Sequence, residues 1–381
     1  MKPLTYKNFD AGNPDVSYEV LTLPDRDRLE PYFLKLPKLL YAPEHRTQDT
    51  KAERALLRGT HPLSPDITCI PFVLVTPSAA NPAKREPLAR CMLTYYPDDP
   101  AAYLGFFECA PNQSACRTLL AAAEERARAD GKTKLVGPMN ASFWVGYRFK
   151  TCNFNEHFTA EPNNLDYYES YWEDYGFRVT ERYFSDYHRA VTPSDPAGIW
   201  KKRLKRMLDR GYEIRTPTFS SFPDDLRDIY HMIVRLYASF PAFKPISEEQ
   251  FVALYSSLRY VLDYESVLLG YKDGKLAGFF ICVPNYGTLV TGDIRLRDLP
   301  EILRIRNGCQ EYVVLYLGAD PEHRGLGGAF AETSRATGER KQSSSIAALI
   351  HEGNSSSVFF RELTTHTARY VLMEKELELC I

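Results

Sequence analysis

The stretch Leu315-Tyr316-Leu317-Gly318-Ala319-Asp320-Pro321-Glu322-His323-Arg324-Gly325-Leu326-Gly327-Gly328-Ala329-Phe330 constrains the fold of this chain most sharply. An apolar run over 312–318 reads as a buried strand. It feeds a turn with glycines at 325, 327 and 328, and a helix over 327–341 opens at once. Glycines let backbone N–H groups approach a ligand with no Cβ in the way. A helix N-terminus adds unpaired donors and the positive end of a dipole. The combination suits a pyrophosphate, with Arg324 beside it as a charged donor. A dinucleotide fold is a poor alternative, because G-x-G-x-x-G is absent and no acidic residue follows at the expected strand end.

The rest of the chain supplies a frame for this turn. At 381 residues it predicts two domains of moderate size. In the first half, helices are expected over 25–40 and 48–58, and strands over 69–76, 88–96 and 103–109. A helix over 114–129 stops at Asp130-Gly131, a strand covers 134–137, a helix 166–174 and a strand 178–189. The segment 191–198, with two prolines and a glycine, reads as a linker. In the second half, helices are expected over 200–208, 223–239 and 247–262, with strands at 212–216, 266–271 and 276–283. The last two form a hairpin through Lys272-Asp273-Gly274. After the glycine turn come a strand over 346–351, a helix over 355–363 and a last strand over 368–376. Both halves repeat strand-strand-strand-helix-strand-helix-strand, which predicts an old duplication. The expected division is 1–192, a linker at 193–200, and 201–381.

Arg324, Gly327 and Ala329 resemble the acyl-CoA signature Q/R-x-x-G-x-G/A of the GNAT N-acetyltransferase superfamily. The lead-in from Ala319 to Gly325 is also similar to that family's. The resemblance implies an α/β, layered fold of two GNAT-like domains. Each would have a mixed, mostly antiparallel central sheet flanked by helices, and the C-terminal one a splayed parallel strand pair. It implies acetyl-CoA as acyl donor, held by the turn Arg324, Gly325, Leu326, Gly327, Gly328 and Ala329. Backbone at Leu317 and Ala319 would meet the pantetheine, and Asn354, Ser357 and Phe360 would lie along the CoA arm. The acceptor would be a small-molecule or peptide amine that attacks the thioester directly, with no acyl-enzyme.

The sequence departs from that family where the general acid, a tyrosine, usually stands: here the position is Arg361. His351 and Glu352 are the candidate bases, with Asp293 and His231 as further possibilities. The first half shows the reverse pattern. Asn164, Tyr171 and Gly176-Phe177 fit the family's later motif, yet no arginine-glycine turn follows strand 103–109. Residues 1–192 therefore read as a degenerate GNAT-like domain that walls the substrate cleft. Gly137-Pro138-Met139-Asn140, Trp144-Val145-Gly146-Tyr147-Arg148 and the loop Phe240-Pro241-Ala242-Phe243-Lys244-Pro245 are expected to face that cleft. A Fem-type aminoacyl transferase and a non-catalytic CoA-binding scaffold are the alternatives. A net charge of -2 argues against a nucleic-acid partner. No apolar run approaches the ~20 residues that span a bilayer, and the first residues do not resemble a signal peptide. Eight scattered cysteines, none in a C-x-x-C pair, predict reduced thiols and no metal site. The expectation is a cytoplasmic monomer or homodimer without a membrane partner. The basic run Lys201-Lys202-Arg203 and Lys205-Arg206 reads as a solvated helix face.

Overall fold

The computed structural model describes residues 18–81, 83–195, 198–353 and 360–378. The first half runs β1 (Glu19–Leu21), α1 (Arg26–Leu40), α2 (Thr50–Arg58), β2 (Thr68–Pro77), β3 (Arg85–Tyr95), β4 (Ala101–Cys109) and α3 (Gln113–Ala129). It ends with β5 (Lys134–Gly137), β6 (Phe149–Lys150), α4 (Tyr168–Tyr175) and β7 (Arg178–His188). The second half runs α5 (Gly198–Asp209), β8 (Tyr212–Arg215), α6 (Phe222–Leu236), α7 (Glu248–Tyr255), β9 (Val267–Lys272) and β10 (Lys275–Pro284). It continues with α8 (Leu299–Asn307), β11 (Glu311–Ala319), α9 (Leu326–Lys341), β12 (Ser344–His351) and β13 (Thr364–Glu376).

Local chemistry explains most boundaries. Asp49 caps α2 by accepting from the Ala52 N–H, and Gly59 ends it at φ 70°. Asn112 caps α3 in the same way through Ala115. Ser247 and Gln250 form a reciprocal capping box at α7. Asp273 and Gly274, both at positive φ, turn the β9–β10 hairpin. The helix expected over 355–363 falls largely outside the described residues; its described end is a single 3₁₀ turn, Arg361–Leu363. The helix α8 has no counterpart among the sequence expectations.

The strands form one mixed, mostly antiparallel sheet in the order β1-β2-β3-β4-β5-β13-β7-β12-β11-β10-β9-β8, with β6 also pairing β13. The expected mixed sheet flanked by helices is therefore present. Its two halves trade their last strands. β7, which ends the first half, pairs antiparallel with β12. β13, which ends the second, inserts between β5 and β7. The expected boundary at 193–200 follows β7 and runs into the first residues of α5, but in space the sheet passes through both halves without a break.

A buried ion pair fastens the exchanged strand. Lys150 Nζ stands 2.9 Å from the Glu161 carboxylate, with side chains 0% and 1% exposed. The Tyr370 hydroxyl of β13 donates to the same carboxylate at 2.5 Å. Asn164 accepts from the Lys150 N–H, so this asparagine serves the core of the first half. Tyr168 and Trp172 of α4 are fully buried, and Tyr171 packs on Tyr167 with ring centroids 4.9 Å apart.

Candidate active site

Each half contains one parallel strand pair that starts in register and then parts. In the first half, β4 and β5 pair only from Ala101↔Lys134 to Tyr103↔Val136. The chain itself fills the gap beyond. The Met139 N–H donates to the Leu104 carbonyl at 2.9 Å, and Asn140 Oδ1 accepts from the Phe106 N–H at 2.6 Å. A Cβ on Gly105 would sit 1.8 Å from the Met139 carbonyl oxygen, so nothing wider could lie between them.

The second half leaves its gap open. β11 and β12 pair from Glu311↔Ser344 to Val314↔Ala347 and no further. β11 continues along β10 to Ala319↔Gly278. β12 bulges at Leu349, φ +56°, where the Leu349 N–H donates to Ser185 Oγ at 2.9 Å, and then follows β7 as far as His351↔Tyr183. The Asp320 N–H donates across to Ala277 on β10. Successive backbone N–H groups of a strand point to opposite sides, so those of Ala319 and Leu317 face the gap.

The gap ends at the glycine turn. Gly325 takes φ +103°, which an L side chain rarely adopts, and hands the chain to α9. The N–H groups of Leu326, Gly327 and Gly328 lie in the first turn of the helix and have no intrahelical acceptor. The turn's residues divide by role. Gly327 lines the cavity. Leu326 and Ala329 are buried at 0% exposure. Leu326 seats against Gly270 and Gly278, where an added Cβ would come within 3.0 and 2.8 Å of its methyl groups. Gly328 faces α5: a Cβ there would stand 2.5 Å from Arg203 Cδ. Arg324 is exposed at the outer edge. The basic helix α5 thus lies on the glycine turn, although Lys201, Lys202, Lys205 and Arg206 are exposed as expected of a solvated face. Asn354 and Ser357 lie outside the described residues, and Phe360 lines the cavity.

The gap opens into a cavity of about 1440 Å³ walled by both halves. Leu317, Gly318, Ala319, Ala331 and Ser334 form the wall near the turn. The first half supplies Phe143, Trp144, Tyr147 and Arg148, and the second half Tyr237 and Phe240. Aromatic contacts join the two sides. Phe143 stacks on Tyr147 at 5.0 Å and meets Phe240 and Phe243 edge-on, both at 5.6 Å. Trp144 Nε1 donates to the Lys244 carbonyl at 2.8 Å, and the Tyr255 hydroxyl to the Trp144 carbonyl at 2.9 Å.

Two polar side chains line this wall. His351 Nε2 lies 2.6 Å from Glu181 of β7, with the imidazole 5.1 Å from the Tyr183 ring and 5.8 Å from Phe240. Arg148 takes φ +87° and is 8% exposed. Its guanidinium carbon lies 3.9 Å over the Tyr147 ring and 4.0 Å over the Tyr183 ring. It donates to the Tyr147 hydroxyl, its Nε has no hydrogen-bond partner, and no carboxylate among the described residues lies within 4.0 Å. Burial pushes the Tyr183 hydroxyl up to about 12, with the Arg148 charge pulling the other way. A guanidinium held between aromatic faces without a counter-ion is arranged to meet an anion or a developing negative charge.

Of the other expected bases, Glu352 is exposed beyond β12, its N–H bonded to the Arg182 carbonyl, and does not line the cavity. Asp293 accepts from the Thr50 N–H, and His231 pairs with Glu248 at the surface. Glu181 escaped sequence reading because only the β7–β12 pairing brings it to His351. A second polar cluster lies on the first-half wall. Glu108 accepts from Tyr41 and Tyr168, both at 2.8 Å, and burial pushes it up to about 7. Beside it, Arg90 pairs with Glu53 at 2.7 Å, both buried.

No family model matches the chain. A curated relative, the bacterial ceramide synthase of Caulobacter vibrioides, is 24% identical over 203 residues, 52% of this chain and 51% of the relative. The chain thus aligns with about half the length of that relative. A solved tandem GNAT protein from the clavulanic acid biosynthesis pathway aligns over 95% of this chain and 99% of its own, with 15% identity and TM-score 0.49. A GCN5-related N-acetyltransferase from Kribbella flavida aligns over 95% and 71%, with 10% identity and TM-score 0.49. One from Sphaerobacter thermophilus aligns over 81% of each chain, with 14% identity and TM-score 0.45. These alignments cover 81–95% of this chain, at identities of 10–15%.

Proposed function

We propose that this chain transfers an acyl group from acyl-CoA to an amine, using the open gap between β11 and β12. The observation that carries this reading is the parting of those strands beyond Val314↔Ala347, with two strand N–H groups facing the gap and Gly327 at its end. The turn's free N–H groups meet the pyrophosphate. The gap-facing N–H groups of Leu317 and Ala319 hold the pantetheine as a neighbouring strand would. The amine nitrogen attacks the thioester carbon, the C–N bond forms, the C–S bond breaks and CoA leaves as thiolate. His351, oriented by Glu181, accepts the amine's proton. Arg148 supplies positive charge at the acceptor end, suited to the carbonyl oxyanion or to an anionic group of the acceptor. The first half, whose own gap is filled by Met139 and Asn140, serves as a wall.

The acceptor end of the cavity suits an apolar substrate. Aromatic and aliphatic residues, Phe143, Trp144, Tyr237 and Phe240 among them, dominate its wall. The name of the Caulobacter relative describes the acylation of a lipid amine. We therefore extend the reading to a long-chain acyl donor, a long-chain amine, or both. The test is thiol release from acetyl-, octanoyl- and palmitoyl-CoA against a panel of polar and long-chain amines. Turnover with any pair supports acyl transfer, and a preference that rises with chain length supports the lipid reading. No turnover with any pair would leave the chain a CoA-binding scaffold at most.

A further inference from the structure

Nine large apolar side chains are exposed among the described residues, and six of them, Phe219, Tyr260, Ile294, Leu296, Leu299 and Leu303, gather at the cavity's rim. Phe219 and Tyr260 are in ring contact at 6.0 Å. Arg306 of α8 donates to the Tyr260 carbonyl and so ties this pair to the helix. Tyr260, Ile294, Leu299 and Leu303 also line the cavity. Leu296 does not, yet it is 87% exposed. Of the nine residues of α8, only Ile302 is buried. A contiguous apolar rim of this kind marks a surface that meets something other than water.

The charges around the rim point to the partner. Arg295, Arg297, Arg304 and Arg306 fall within twelve positions of one another, interleaved with the exposed leucines. Glu301 holds Arg304 at 2.6 Å, and Asp298 lies 3.8 Å from Arg297. The guanidinium groups of Arg295 and Arg306 have no carboxylate within 4.0 Å among the described residues, while the Arg295 backbone N–H donates to Asp298. Burial lowers the pKa of Arg46 on the cavity wall, with the like charge of Arg295 adding to that and Asp293 opposing it. Exposed leucines and aromatics with uncompensated arginines beside them match the boundary between acyl chains and anionic headgroups. Among the described residues no helix is long and apolar enough to cross a membrane, so the contact would be peripheral.

We propose that the segment from Ile294 to Arg306, with Phe219 and Tyr260, docks on an anionic phospholipid surface and opens the cavity toward it. A long-chain substrate then passes from the bilayer into the cavity without crossing water. This rests on the reading of the cavity as an acyl-transfer site for an apolar substrate.

The test uses the full chain with vesicles of phosphatidylcholine alone and of phosphatidylcholine mixed with phosphatidylglycerol, read by co-sedimentation. The variants are Leu296→Glu and Arg295→Glu, both off the cavity wall. Wild type should bind the mixed vesicles, release at high salt and bind phosphatidylcholine weakly. Leu296→Glu should lower the partition coefficient by roughly tenfold or more. Both variants should titrate CoA like wild type, which shows that they are folded. No binding of wild type to mixed vesicles, or binding unchanged in both variants, overturns the proposal. So does self-association of wild type in sedimentation velocity that Leu296→Glu abolishes, because a second copy then covers the face. Vesicle binding without any CoA binding would keep the docking face and remove the acyl-transfer reading instead.

Discussion

Replacing Arg148 by methionine separates a functional buried charge from a structural one. Arg148 is 8% exposed, and its guanidinium carbon lies 3.9 and 4.0 Å from the centroids of two tyrosine rings. Two desolvated cation–π contacts stabilise it by about 1–2 kcal/mol each. Burying it without a counter-ion costs several kcal/mol. These terms nearly cancel, so Arg148→Met should change stability by no more than about 2 kcal/mol, in either direction. Activity should fall much further. Losing a positive charge aimed at a developing anion typically costs about 10²–10³ in kcat. The assay pairs chemical denaturation with kcat/KM on the best amine found. Arg148→Lys should recover little, because an ammonium neither stacks on both rings nor donates in a fork. The reasoning is refuted if Arg148→Met costs ~4 kcal/mol or more while the folded fraction keeps wild-type kcat/KM.

Other predictions probe separate parts of the account. Glu161→Gln breaks the fully buried pair with Lys150, and should cost about 3–5 kcal/mol in urea unfolding. His351→Gln should lower kcat by ~10²-fold or more and leave CoA affinity unchanged in titration. For Glu108, burial raises the folded-state value above the ordinary 4.5 to about 7. The folded chain therefore holds this proton more tightly than the unfolded one. Its contribution to stability is complete below about pH 4.5 and is lost as pH rises through about 7. Wild type should lose about 2–3 kcal/mol from this group between pH 5 and 8, and Glu108→Gln should flatten that slope. Finally, residues 1–195 expressed alone lack β13, whose Ala368, Tyr370, Val371, Leu372 and Met373 are buried. That fragment should be insoluble or lack near-UV dichroism, and co-expression with 196–381 should restore the sheet.

The local elements and the glycine turn were legible because their signals are local. Asn112 and Ser247 announce helix starts, Asp273-Gly274 a hairpin, and Gly325 to Gly328 a turn that only small residues allow. The loop around Phe240 could be placed by its resemblance to the family's loop over the acceptor pocket, and the segment around Trp144 as part of a half that walls the cleft. The strand exchange was not legible. β7 and β13 would present the same alternation whichever half they joined, so side-chain periodicity cannot choose between the two partners. The Glu181–His351 pair was hidden for that reason. Helix α8 escaped because its leucines face outward beside arginines, which denies it the buried stripe that periodicity detects. The packing role of Gly328, whose missing side chain makes room for Arg203, was not legible, because only the fold lays α5 on the turn.

The most direct test of the central claim is isothermal titration of acetyl-CoA and CoA into wild type and Gly327→Trp. Gly327 lines the cavity at the end of the open gap, and an indole there would fill the space that the proposed function assigns to the pyrophosphate. The account predicts micromolar binding to wild type, about -8 kcal/mol, and none to the folded variant. Folded wild type that binds neither ligand, or a variant that binds as well as wild type, would contradict it.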